Sequence, residues 1–79
     1  MNTDPTITYG YEYTRPDGTI RAVTGFPTRR EAATYLGHSL HDNRYTTKAA
    51  AQQISRVLHA TNGPIIVSGI TARIIREEA

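Results

Sequence analysis

Between Ile7 and Thr14 the chain alternates, with Ile7, Tyr9, Tyr11 and Tyr13 at one set of positions and Thr8, Gly10, Glu12 and Thr14 at the other. A period of two predicts a half-buried β-strand whose isoleucine and three tyrosines share the inner face. Arg15-Pro16-Asp17-Gly18 follows as a turn, because proline presets one central position and glycine accepts the positive φ that closes it. Thr19 to Thr24 reads as the return strand of a hairpin, with Ile20 and Ala22 on one face and Arg21 and Val23 on the other.

The period then changes. Thr28-Arg29-Arg30-Glu31 has the spacing of a capping box, and Ala32, Ala33, Leu36 and Leu40 follow at helical intervals. They predict a helix of about three turns ending near His41. After the polar break Asp42-Asn43-Arg44-Tyr45, Thr46 or Thr47 caps a second helix from Lys48 to about Ala60. Ala50, Ala51, Ile54, Val57, Leu58 and Thr61 form its apolar stripe, and Lys48, Gln52, Ser55, Arg56 and His59 take the other side. Asn62-Gly63-Pro64 is the expected stop, with glycine as the left-handed cap. The segment Ile65 to Ile75 is β-branched and predicts one strand. A bulge at Ser68-Gly69 would bring Ile65, Val67, Ile70, Ala72 and Ile74 to one side and leave Thr71, Arg73 and Ile75 on the other.

The expected fold is therefore α+β: a two-layer sandwich in the order β-β-α-α-β, with two helices on one face of a three-stranded antiparallel sheet. The opposite sheet face is expected to display Thr8, Glu12, Thr14, Arg21, Val23, Thr71 and Arg73. Seventy-nine residues allow one domain, residues 1–79, with residues 1–5 and 77–79 expected to fray.

Composition narrows the chemistry. The chain has no cysteine, which removes disulfides and thiolate metal sites and fits a reducing compartment. Its amino end lacks the basic and apolar regions of a signal peptide, and its longest aliphatic run, Ile65-Ile66-Val67, is far short of the roughly 20 residues of a membrane span. No membrane association is expected. The net charge is +2, but between Pro5 and Arg76 nine basic residues face four acids (Glu12, Asp17, Glu31 and Asp42), a local +5. Eight of the nine are arginine, suited to forked contacts with phosphate or carboxylate.

Catalysis finds few residues to work with. His38 and His41 stand three apart beside Asp42, short of the ligands zinc needs, and nothing in the sequence brings His59 to them. They read as polar-face histidines, so neither a metal nor a cofactor is expected. No serine sits in a nucleophile elbow, Glu31 and Asp17 belong to the cap and the turn, and no phosphate-cradling glycine loop is present. No enzymatic activity and no catalytic residue are expected. The tyrosines suit either base stacking or a core under alanine-rich helices, and the alanines favour the core. Arg21 and Arg73 on the open face, Arg15 at its rim and Thr14 and Thr71 between them make the candidate binding set, since arginine and threonine on a sheet can read a major groove. Charge on exposed strands also serves simply to block aggregation.

The run from Tyr9 through Pro16-Asp17-Gly18 to Gly25-Phe26-Pro27-Thr28 and Glu31-Ala32-Ala33, with Ile65-Ile66-Val67-Ser68 beyond it, resembles small accessory proteins of actinobacterial phages over nearly the whole chain. Residues 9–38 are also similar to the three-stranded arm-type DNA-binding domain of phage tyrosine integrases. That second resemblance implies sheet-in-groove DNA binding with Arg15 and Arg21 as the basic positions. The chain departs from it by its second helix, its closing strand and the absence of a recombinase domain. Together these readings predict a small, non-enzymatic, phage-encoded interaction protein in the cytoplasm of a bacterial host, binding a protein stoichiometrically. Its expected modes are edge-strand addition or a homodimer through the last strand. The alternative is DNA binding through Arg15, Arg21 and Arg73.

Overall fold

The computed structural model describes residues 7–78. Strands β1 (Ile7–Thr14) and β2 (Ile20–Phe26) are followed by helices α1 (Arg29–Asp42) and α2 (Lys48–Leu58), then strands β3 (Ile65–Val67) and β4 (Ile70–Glu78). The fold is α+β, with both helices against one face of an antiparallel sheet. The sheet has four strands, in the order β2-β1-β4-β3, where the sequence predicted three.

The extra strand comes from Ser68-Gly69. Both residues hold positive φ, 52° and 78°, and Val67 pairs directly with Ile70. Two successive positive-φ residues close a two-residue hairpin, so the chain reverses where a bulge was expected. A pairing of this kind conserves the face of each side chain. Ile65 and Val67 therefore still lie on the side of Ile70, Ala72 and Ile74, as expected, and Thr71, Arg73 and Ile75 lie opposite.

The tyrosine face of β1 forms the floor of the core. Tyr11 and Tyr13 are buried beneath Ala32, Ala33, Leu36, Leu40, Ala51, Ile54 and Leu58. Their rings stack at 6.0 Å, and Phe26 continues the row 5.8 Å from Tyr11. Tyr13 places its hydroxyl 2.9 Å from Ser39 Oγ, which tethers β1 to α1. The alanines supply the depth these rings need.

Both helix starts follow their sequence signals. The Glu31 amide donates to Thr28 Oγ1 at 3.1 Å, and the Ala50 amide donates to Thr47 Oγ1 at 3.2 Å. Helix α2 ends at Leu58, short of Ala60, and His59 is its cap, so Gly63 lies in the following loop and not at a left-handed cap. Past Leu58 the stripe has nothing left to bury, since Thr61 is exposed.

Glu77 and Glu78, expected to fray, instead extend the ladder opposite Thr8 and Ile7. Residues 1–5 and 79, for which fraying was also expected, lie outside the described residues. The final strand is not an edge. It sits between β1 and β3, which leaves β2 and the three-residue β3 as the margins of the sheet.

Candidate functional site

Among the described residues, both helices pack on one face of the sheet and the other face is left uncovered. Its composition follows from register. Ile20 pairs with Thr14, Thr14 with Thr71, and Thr71 with Ile66, so one transverse row crosses all four strands as Ile-Thr-Thr-Ile. The two isoleucines close the row at opposite margins, about 14 Å apart at the usual strand spacing. They are 62% and 73% exposed, the most exposed large aliphatic side chains among the described residues.

The next row is Ala22, Glu12 and Arg73. Arg73 Nε donates to Glu12 Oε1 at 2.9 Å, and this hydrogen bond and charge hold the guanidinium above its ordinary pKa. Beyond it Gly10 pairs with Ile75. Here β2 makes a bulge around Gly25 and folds close over β1. A Cβ on Gly10 would lie 2.5 Å from the Val23 carbonyl oxygen and 2.8 Å from Thr24 Cγ2. Only glycine permits that approach.

The predicted binding residues do not all meet on this face. Thr14, Thr71 and Arg73 stand on it. Arg21 does not: it pairs with buried Tyr13 and shares that residue's helix-ward side, as does Val23 with Tyr11. Ile20 and Ala22, expected inside, take the open face instead. The cause is the loop between β1 and β2. The Arg15 amide donates to the Thr19 carbonyl at 2.9 Å, closing a three-residue connection through Pro16, Asp17 and Gly18. A register one residue different inverts every side chain of the return strand.

Arg15 also lies toward the helices, its guanidinium 4.1 Å from the centre of the Tyr45 ring and 3.7 Å from Asp17. The turn itself is well held. The Thr19 amide donates to Asp17 Oδ1 at 2.9 Å, and this bond keeps the Asp17 carboxyl below its ordinary pKa.

The histidines correct a second expectation. His59 lines the same surface groove, between α1 and α2, as His38 and His41, because the helices run back to back across a short loop. Among the described residues, no three His, Cys, Asp or Glu side chains come together in a set able to hold a metal ion. No helix among them is long and apolar enough to cross a membrane. Comparison with protein-family models, with curated proteins and with solved structures finds no match to this chain.

Proposed function

We propose that this chain is a small, non-enzymatic interaction protein, phage-encoded and acting in the host cytoplasm, that binds a host protein stoichiometrically through its uncovered sheet face. The Ile20-Thr14-Thr71-Ile66 row is the observation that carries this reading. Beside it Arg73, the arginine that the central strands place on this face, is matched by Glu12. A sheet face of aliphatic and hydroxyl groups, with Arg73 paired to Glu12, favours a weakly charged and partly apolar partner over a polyanion. Since β4 is interior, the face and not the last strand is the docking element.

DNA binding has less support. Of the three arginines it requires, Arg73 alone stands on the open face, and its Nε is engaged by Glu12. Arg15 and Arg21 lie on the helix-ward side.

The test is capture from nuclease-treated host lysate by the wild-type chain and by the Ile20→Lys/Ile66→Lys variant. Both positions are exposed, so the double variant should melt within a few degrees of wild type. The expected result is a one-to-one protein partner bound by the wild type and lost by the variant. Capture that ignores both substitutions, recovery of nucleic acid alone, or no recovery at all would count against the reading.

A further inference from the structure

The outer seam between α1 and α2 forms a groove of about 600 Å³. His38 and His41 from α1 face Lys48, Arg56 and His59 from α2 across it. Each wall is a single helical stripe, stepping by three or four residues. The floor lies where the helices come nearest: a Cβ on Gly37 would sit 3.0 Å from Ser55 Cβ and 3.3 Å from the Ala51 carbonyl oxygen. At one end Thr34 Oγ1 is 3.4 Å from His59 Nε2.

Among the described residues, no aspartate or glutamate lines this groove. The carboxylate that approaches it is Asp42 at the end of α1, with Oδ1 3.7 Å from His41 Nδ1. Tyr35 stands edge-on to His38, ring centres 6.3 Å apart. Lys48 and Arg56 are therefore cations for which the described lining of the groove offers no carboxylate. Lys48 also occupies the first turn of α2, where the helix amides add partial positive charge and no acidic residue offsets it. Thr34, Gln52 and Ser55 add uncharged hydrogen-bonding groups.

The spacing bears on the size of anion that the two cations can share. Eight residues of helix separate Lys48 from Arg56, about 12 Å along the axis. A short phosphate chain or a nucleoside triphosphate can meet both side chains along that length, whereas a single phosphate would need both to lean toward each other. We propose that this groove binds a small polyphosphate anion, with Lys48 and Arg56 as fixed charges. The imidazoles of His38, His41 and His59 line the same walls and add ring N–H donors. The recognised chemistry is the phosphate chain, which an inorganic polyphosphate or the tail of a nucleotide supplies.

Calorimetric titration at low salt with inorganic tripolyphosphate, ATP and adenosine tests it. Tripolyphosphate and ATP should bind and adenosine should not. Equal affinities for the two anions assign the site to the phosphate chain alone, and tighter ATP binding assigns it to a nucleotide. Lys48→Ala/Arg56→Ala should lose about tenfold or more in affinity, since contacts to charged groups are the strong ones, with its melting temperature unchanged. Arg21→Ala, on the distant edge strand, should bind as wild type does. His38→Gln/His59→Gln should bind more weakly than the wild type. The proposal is overturned if neither anion binds, if adenosine binds as well as ATP, or if Arg21→Ala loses as much as the groove variant. Unchanged affinity in the histidine variant would remove the imidazoles from the site.

Discussion

The two outward surfaces of this small domain treat charge in opposite ways. On the bare sheet face Arg73 is matched across the strands by Glu12, and aliphatic side chains hold the margins. Along the helix seam Lys48 and Arg56 stand with three imidazoles on walls where no carboxylate is found among the described residues. Both surfaces rest on the same core. Under the two proposals the first surface takes a weakly charged macromolecule and the second a small anion, through separate residues on opposite sides of one sandwich.

The sharpest way to break the comparison is to remove what the two surfaces share. Leu36 is fully buried between α1 and the sheet, and Leu36→Ala should cost about 2–5 kcal/mol in a urea melt. Both binding activities should weaken together as the folded fraction falls. Gly10→Ala comes next. The added methyl would strike the Val23 carbonyl and Thr24, costing about 1–3 kcal/mol by the usual scale of overpacking. That strain is local to β1 and β2, so partner capture by the sheet face should suffer while anion titration of the helix seam stays close to wild type.

Glu12→Gln sharpens the comparison by making the two surfaces more alike. It frees Arg73 on the open face and raises the net charge by one. The variant should be retained on a polyanion column to higher salt than wild type, with little change in melting temperature. Asp17 gives the smallest effect. Its folded pKa lies below the ordinary value because the Thr19 amide bonds the carboxylate. The stabilisation is present above the unfolded-state carboxylate pKa and is lost as pH falls through the lower folded one. Acid melts of wild type and Asp17→Asn should therefore converge at low pH and separate slightly above it, with both surfaces unaffected.

Much of the fold is legible along the chain. Alternation in Ile7–Thr14 determines which β1 side chains go inward, Thr28 and Thr47 mark both helix starts, and the inner set Ile65, Val67, Ile70, Ala72 and Ile74 can be read by pattern. The candidate site is legible only in part. Thr14, Thr71 and Arg73 stand where the pattern puts them, but Arg21 and Ile20 exchange faces.

That division has a physical cause. Periodicity is a property of one segment, and burial imposes it on each strand or helix separately, so the sequence by itself determined most of the elements and the inner faces of β1, α1 and β4. Register between segments depends on one residue of loop length, and a pair of positive-φ residues at Ser68-Gly69 turns one strand into two. Tertiary structure alone decided which face of β2 meets solvent, that the last strand lies inside the sheet, and that His59 comes to share a groove with His38 and His41. Those outcomes are set by how the chain closes on itself in space, a distance that no spacing along it records.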